Sequence, residues 1–195
     1  MEFKQEKELI EKSKKDIKAF GLLYDEHYDK IYHYSLLRTA RIDVAQDVTS
    51  EVFLKALQNI KRFKWQGIPF YHWLLRIANH EIANHYRKNG QGMMMLEKVS
   101  QNIKLQHEPP ESELENAETE LQKCEAFLAI HKKLPMLPIK YQEVIVLRFF
   151  ENKKLNEIKE ILGKNEGTVK TLLYRGLAKL KILMEQDTAY MKNLS

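Results

Sequence analysis

One segment of the sequence has residue types suited to metal chemistry. His80 and Glu81 stand shortly before His85, an order superficially like that of a zinc protease helix. In such a helix two histidines four residues apart share one face and one zinc ion. A spacing of five rotates the second imidazole by about 140° around the helix axis. These two histidines are therefore not expected to share a metal.

No other group of residues in the sequence matches a known catalytic arrangement. There is no phosphate-binding glycine loop, no nucleophile elbow and no pair of catalytic acids. Cys124 is the single cysteine, which excludes an internal disulfide and a multi-cysteine zinc site. We therefore expect a protein that is not an enzyme and that uses no catalytic residue, metal or cofactor.

Hydroxyl and cationic side chains share one face of a predicted helix near the C-terminus. The opposite face holds Val169, Leu172, Leu173, Leu177 and Leu180. A shorter predicted helix precedes it; Gly163 suits the left-handed end of that helix, and Asn165 can cap the next one. This is the spacing of a helix-turn-helix, although an ordinary helical hairpin with a solvated basic face fits equally well. Under the first interpretation the DNA-contacting residues are Thr168, Lys170, Thr171, Tyr174 and Arg175.

Acidic side chains form a stripe on a second predicted helix. Asp43, Asp47 and Glu51 recur every four residues and so lie on one polar face. Such a stripe can meet a basic partner surface, and it can equally be a solvated acidic face.

The elements that would position these residues are helices. Asp16 is expected to cap a helix that runs to about residue 36, and Asp43 a helix that runs to about residue 60. Residues 64–69 are predicted to be a loop because Gly67 and Pro69 interrupt the pattern. A third helix is expected over residues 70–87, and three short helices over residues 139–183.

The chain is predicted to be all-α, with two small helical domains joined by a flexible linker. The expected boundaries are 1–88, a linker at 89–134 that includes an acidic helix from residue 111, a second domain at 135–183, and a tail at 184–195. Residues 1–88 carry 16 Lys/Arg against 12 Asp/Glu, and residues 135–195 carry 11 against 7. The intervening segment carries 5 against 8. Two basic blocks of this kind suit a polyanion such as DNA.

The sequence also predicts where the protein works. It contains no apolar run of membrane-spanning length, so membrane insertion is not expected. Its first residues are charged and lack the apolar core of a signal peptide. We therefore expect a cytoplasmic protein.

The sequence motifs of the two basic segments, residues 1–88 and 135–195, resemble those of sigma factors of bacterial RNA polymerase, of the extracytoplasmic function (ECF) type. Residues 16–88 resemble sigma region 2 through Phe20, Leu23, Tyr24, Tyr28, Ile31, Tyr32, residues 45–56 (AQDVTSEVFLKA), Trp73, Leu74, residues 76–79 (RIAN) and residues 86–88 (YRK). The second block resembles sigma region 4 through residues 134–135 (LP), 148–151 (RFFE), 157–158 (EI), 161–163 (ILG), 166–171 (EGTVKT), Arg175, Gly176, Lys179 and Leu180. The two motifs occur in the family's order and at a suitable separation.

The resemblance implies a promoter-specificity factor that binds core RNA polymerase, recognises −35 and −10 elements and helps to melt DNA. Region 4 would grip the −35 element and dock on the polymerase flap. Region 2 would dock on the clamp helices through Asp43, Asp47, Ser50 and Glu51. The family usually has Gln at Ser50 and often Glu at Gln46, which puts the strength of that contact in doubt. The family also implies an anti-sigma protein as a partner.

Residues 60–76 mix cations with aromatic side chains, a combination suited to unstacked bases and their backbone. The family uses the loop in this segment to capture a flipped base of the −10 element. The resemblance thus implies −10 binding and melting by Lys61, Arg62, Lys64, Trp65, Gln66, Gly67, Arg76, Asn79 and Arg87. Trp73, beside Leu74 and Ile77, is expected to pack in the core instead.

Two other functions stay open at the level of sequence. A free-standing helix-turn-helix regulator would need neither the acidic stripe nor the aromatic loop, and would bind promoter duplex without polymerase. A polymerase-binding adaptor that does not touch DNA would tolerate neutralisation of Lys170 and Arg175.

Overall fold

In the computed structural model of the chain, the described residues are 3–88, 130 and 133–192, with side chains described from residue 4 to residue 185 within those ranges. Every regular element in these ranges is helical, which confirms the all-α prediction. The chain divides into two compact units, 1–85 and 86–195. The predicted linker and most of the predicted acidic helix lie outside the described residues.

The first unit contains α1 (Phe3–Ser13), α2 (Ile17–Thr39), α3 (Ile42–Asn59) and all but the last three residues of α4 (Phe70–Lys88), with a 3₁₀ turn at Ile60–Arg62 after α3. Asp16 caps α2 as predicted, since its Oδ1 accepts a hydrogen bond of 2.9 Å from the Lys18 amide. Residues 63–69 form the predicted loop between the turn and α4.

The predicted cap of α3 is wrong. Arg41 occupies the N-cap position, and its side chain makes no cap hydrogen bond. Asp43 lies inside the first turn, where a hydrogen bond from the Arg41 guanidinium lowers the pKa of its carboxyl group. A carboxylate in the first turn also suits the positive end of the helix.

A buried polar network ties α2 to α4. The guanidinium of Arg38 is wholly buried and donates to the Tyr34 hydroxyl and to Asn79 Oδ1. Tyr34 also donates to Asn79 Oδ1, at 2.8 Å. Because buried polar groups are costly unless they are hydrogen-bonded, this network fixes the register of the two helices.

The second unit contains α5 (Ile139–Ile145), α6 (Leu155–Leu162) and α7 (Glu166–Lys192), with a 3₁₀ turn at Leu134–Met136 and a π-helical turn at Val146–Phe150. Gly163 ends α6 in the left-handed conformation, at φ 62°, and Asn165 Oδ1 accepts a hydrogen bond of 2.7 Å from the Thr168 amide. Both predictions are confirmed.

The last helix differs from the sequence prediction in length and in packing. It continues to Lys192, so residues 184–192 are helical and not a tail. Near its middle, a Cβ on Gly176 would come within 3.1 Å of both Tyr141 Cβ and Ile145 Cδ1. The missing side chain of Gly176 therefore lets α5 and α7 approach closely.

Candidate nucleic-acid interface

Helix α7 presents a polar face over an apolar back. Val169, Leu173, Leu177 and Leu180 are buried, while Leu172, predicted to share this face, is half-buried. On the other side Thr168 and Arg175 are exposed, and Lys170, Thr171 and Tyr174 are half-buried. The five predicted DNA-contacting residues therefore keep some surface outside the core.

An ion pair lies at the first turn of this polar face. Lys170 Nζ lies 3.2 Å from a carboxylate oxygen of Glu166, one helical turn away. The pair holds the lysine side chain along the helix, and the capping bond from Thr168 to Asn165 fixes the turn before it. A capped, supported helix with hydroxyls and cations at its N-terminal end has the chemistry of a major-groove recognition helix.

A pocket of about 370 Å³ opens between α3, the 3₁₀ turn and α4. It is lined by Lys55, Asn59, Arg62, Phe63, Trp73, Ile77, His80 and Glu81. The rings of Phe63 and Trp73 lie 4.7 Å apart, and Phe70 packs against both. Flat aromatic walls with a cation and hydrogen-bonding groups at the rim suit an unstacked nucleobase.

Sequence reasoning identified only part of this pocket. Arg62 was predicted, and Phe63 belongs to the aromatic side chains noted in residues 60–76, but Lys55, Asn59 and Glu81 were not predicted. Trp73 is half-buried and packs on Phe63 and Phe70 as expected of a core residue, yet it also forms a wall of the pocket. The spacing of Trp73, Ile77 and Glu81 at four-residue intervals on one helix was the available signal.

Lys55 joins two helices at the edge of the pocket. Its Nζ lies 2.7 Å from Glu81 on α4 and 3.4 Å from Glu51 on its own helix. The hydrogen bond from Lys55 to Glu81 is the largest cause that raises the pKa of Lys55. Glu81 is thereby held in place as one of the pocket's lining groups.

The predicted −10 residues occupy three kinds of position. Gly67 adopts φ 75°, a backbone conformation that favours glycine, and Trp65 is half-buried in the same loop. The exposed members of the predicted set are Lys61, Arg62, Lys64, Gln66, Gly67, Arg76 and Arg87. Asn79, in contrast, is buried and bonded to Tyr34 and Arg38. Its amide is engaged inside the fold, so its burial gives no support to the predicted contact with DNA.

The acidic stripe lies on the outer face of α3. Asp43, Asp47 and Ser50 are exposed and Glu51 is half-buried. Asp43 pairs with Arg41, and Glu51 with Lys55, whereas Asp47 makes no ion pair with any described residue. Leu54, 49% exposed, continues the stripe by one turn. The surface therefore combines negative charge with an exposed apolar side chain.

Two features that would indicate other functions are missing from the described ranges. No group of three or more His, Cys, Asp or Glu side chains there is arranged to hold a metal ion. None of the helices in those ranges is long and apolar enough to cross a membrane.

Comparison with known proteins shows the class of protein to which the chain belongs. The sequence family Sigma-70 region 2 matches residues 23–91, and Sigma-70, region 4 matches residues 127–180. The two regions correspond to the unit that carries the pocket and the unit that carries α7. The chain is therefore a sigma factor, a non-enzymatic initiation factor for RNA polymerase.

Individual relatives narrow the class. The chain is 33% identical over 183 residues to the ECF RNA polymerase sigma factor BldN of Streptomyces coelicolor, covering 92% of this chain and 66% of BldN. It is 31% identical over 194 residues to the ECF RNA polymerase sigma factor SigW of Bacillus subtilis, covering 93% of this chain and 97% of SigW. The chain belongs to the ECF-type sigma factors, which act in promoter recognition and transcription initiation.

Solved structures agree on the fold. The structure of CnrH in complex with the cytosolic domain of CnrY matches with a TM-score of 0.64 at 21% identity, covering 93% of this chain and 98% of that one. The sigma factor RpoE in complex with the anti-sigma factor NepR from Bartonella quintana matches with a TM-score of 0.60 at 20% identity, covering 86% and 98%.

Proposed function

We propose that this sigma factor divides promoter recognition between its two units: α7 reads the −35 element, and the pocket with the adjoining loop holds unstacked DNA of the −10 element. The observation that carries the proposal is the pocket walled by Phe63 and Trp73, with cations beside it. A sigma factor must hold single-stranded DNA open, and aromatic walls beside cations suit that task.

For the −35 element, the contacts proposed are those of Thr168, Lys170, Thr171, Tyr174 and Arg175. Arg175 is exposed on α7, on the face away from Leu173 and Leu177. A guanidinium there can donate two hydrogen bonds to the edge of one guanine, or it can bind a phosphate. The hydroxyls of Thr168 and Thr171 can bind either base edges or phosphates.

For the −10 element, one base enters the pocket and stacks against the Phe63 and Trp73 walls. Arg62, on the pocket wall, and Lys61, beside it, meet the DNA backbone, and the loop residues Lys64, Trp65, Gln66 and Gly67 close over the strand. Arg76 and Arg87, exposed on α4, extend the basic surface along the strand. Asn79 has no part in this contact.

For polymerase docking, the acidic stripe of α3 meets the clamp helices through Asp43, Asp47, Ser50 and Glu51, with Leu54 as an apolar neighbour. The second unit meets the flap. The charge and exposure of the stripe support the first contact, and the family supports both.

The experiment that tests the division of labour is a selection of promoters. Holoenzyme made with the full chain transcribes a library in which both elements are randomised, and the enriched sequences are read. Arg175→Ala should relax sequence preference at the −35 element by about 1–3 kcal/mol at one base pair, while Trp73→Ala should weaken selection at the −10 element.

Lys140→Ala is the matched control, since it removes one exposed cation from the second unit outside α7. Loss of −10 preference in Arg175→Ala, or unchanged preferences in both variants, would overturn the assignment of elements to units.

An anti-sigma protein is a further proposed partner. CnrH and RpoE, which share the fold, were solved as complexes with the cytosolic domain of CnrY and with the anti-sigma factor NepR. A protein that covered the α3 stripe would block polymerase docking. Since its polymerase and DNA partners are cytoplasmic, we place the site of action there.

A further inference from the structure

The pocket proposed to receive a −10 base has an aromatic end and a charged end. Trp73, Ile77 and Glu81 line it at four-residue intervals on α4, so they follow one another along one face of the helix. Phe63 packs on Trp73 at the aromatic end. Glu81 lies two intervals further on, about 12 Å along the helix axis. A base that stacks on the aromatic walls can therefore turn one edge towards Glu81.

Glu81 is the least exposed of the polar residues that line the pocket. Its side chain is 12% exposed, against 36% for Lys55, whereas Asn59, Arg62 and His80 are exposed. A polar group at that depth meets the part of a ligand that enters furthest. The sugar and the phosphates of a nucleotide stay outside with the strand, so the part that enters furthest is the base edge opposite the sugar.

The carboxylate of Glu81 is held in place and can still accept a hydrogen bond from a ligand. Its Oε2 lies 2.7 Å from Lys55 Nζ, and its Oε1 accepts a hydrogen bond of 3.4 Å from Asn84 Nδ2. An ionised carboxylate has about four lone-pair sites and no donor. Glu81 can therefore accept a further hydrogen bond, but it cannot donate one to a base.

The four bases differ in the group that they carry at the edge opposite the sugar. Cytosine and adenine carry an amino group there, which donates hydrogen bonds, whereas thymine and guanine carry a carbonyl oxygen, which accepts them. An amino group can donate to the Glu81 carboxylate. A carbonyl oxygen would face a second acceptor with no proton between them, and two desolvated polar groups left unpaired are costly.

Lys55 favours the same bases. Its ammonium group has three N–H donors, and its ion pairs with Glu81 at 2.7 Å and Glu51 at 3.4 Å leave one for a ligand. In cytosine and adenine the ring nitrogen beside the amino group accepts a hydrogen bond, whereas in thymine and guanine the ring nitrogen beside the carbonyl carries a hydrogen. A carbonyl-bearing base would fit the pair only with the lysine deeper than the carboxylate, and the exposures of the two side chains are the opposite.

We infer that Glu81 is a specificity-determining residue of the pocket, and that it selects a base with an exocyclic amino group, cytosine or adenine, over thymine or guanine. The inference rests on the proposed function of the pocket, since it applies to the −10 base that enters there. It adds a choice among bases that stacking alone does not make, because every base has an aromatic face.

The test measures binding of single-stranded DNA by holoenzyme assembled from the full chain. The promoter selection with Trp73→Ala identifies the position, as the −10 base whose preference falls most. Fluorescent oligonucleotides of the selected −10 sequence then carry cytosine or uracil, and adenine or hypoxanthine, at that position. Within each pair an amino group is exchanged for a carbonyl oxygen with almost no change in size.

The tighter binder of the cytosine and adenine probes shows whether the pocket takes a pyrimidine or a purine. In that pair the wild-type protein should bind the amino-bearing probe about tenfold more tightly than its carbonyl counterpart. This ratio needs no variant, so it tests the inference whatever the stability of a substituted protein.

Glu81→Gln tests the residue itself. Its amide can accept from an amino group or turn to donate to a carbonyl oxygen, so the preference should fall to within about twofold. Glu26→Gln is the matched control, because it also removes a carboxylate paired with a lysine, 2.9 Å from Lys30 Nζ, and it lies on α2 outside the pocket lining. This control should keep the tenfold preference.

Equal binding of the two probes by the wild-type protein, or tighter binding of the carbonyl-bearing one, would overturn the inference. So would a full preference in Glu81→Gln, or an equal loss of preference in Glu26→Gln. Trp73→Ala separates the inference from the proposed function. Full affinity of that variant for every probe would refute the pocket itself, whereas a loss of affinity there, with equal binding of the paired probes by the wild-type protein, refutes only the role of Glu81.

Discussion

The buried imidazole of His27 gives a pH dependence of stability whose sign and size follow from its surroundings. In the folded protein its pKa is lowered from 6.5 to about 4, mainly by burial. In the unfolded chain it titrates near 6.5. The unfolded state therefore takes up a proton between these values that the folded state does not, and stability is lost as pH falls from about 6.5 towards 4.

The perturbation is His27→Phe, which keeps a ring against Phe70 and Tyr71 and removes the titration. For the lowered pKa, the loss between about pH 7.5 and about pH 5 amounts to about 2 kcal/mol in wild type, and it should vanish in the variant. Neither ring nitrogen of His27 has a hydrogen-bond partner among the described residues. Removing them should also stabilise the variant at neutral pH by about 1–3 kcal/mol.

The assay is urea unfolding followed by tryptophan fluorescence. Both tryptophans, Trp65 and Trp73, lie in the first unit, so the signal reports that unit alone. The raised pKa of Glu6 contributes with the opposite sign, and Glu6 Oε1 lies 3.8 Å from His27 Nε2. The comparison is therefore made in a Glu6→Gln background, where the difference between the two proteins isolates His27. His33→Phe, at an exposed position on the same helix, is the control. An equal loss of stability with and without His27→Phe in that background, between the two pH values, would refute the reasoning.

Three further predictions concern the second unit and the docking stripe. Gly176→Val should destabilise the second unit by about 1–3 kcal/mol, because a Cβ there already meets Tyr141 and Ile145 at 3.1 Å. A thermal melt followed by circular dichroism should show this loss of stability. Gly167→Val should show no such loss, because a Cβ at residue 167 has only one atom within 4 Å, at 3.7 Å. Asn165→Ala removes the 2.7 Å cap of α7 and should cost about 1 kcal/mol in the same melt, with Asn165→Asp retaining it; equal melting of the two would contradict the cap. Asp47→Lys should weaken binding to core polymerase by about tenfold in a competition assay, whereas Glu8→Lys, with the same charge change on the exposed face of α1, should bind as wild type; equal weakening by both would point to net charge alone.

Features fixed by neighbouring residues were predictable from the sequence. Asp16, Gly163 and Asn165 were each assigned the helix end that they occupy, because a cap depends on residues two or three positions away. Asp43 was misplaced by two positions. An acidic residue suits both the N-cap and the first turn of a helix, and the pattern alone does not separate the two.

Features fixed by packing between distant segments were not predictable in the same way. Asn79 has the polarity of a DNA contact, and only the placement of α2 against α4 shows that Tyr34 and Arg38 engage it. Glu6 resembles any acidic residue of a charged first helix, and only the packing of α1 shows that it is buried with its Oε1 3.8 Å from His27 Nε2. The pocket likewise needs Phe63 and Trp73 to meet across a loop, which a linear pattern does not encode.

Transcription in vitro tests the central claim most directly. The purified chain is combined with bacterial core polymerase and fragments of its own genome, and transcript starts are sequenced. The account predicts starts that require both proteins and that share −35 and −10 elements. Absence of new starts, together with footprints on promoter duplex that form without polymerase, would contradict it and favour a free-standing helix-turn-helix regulator.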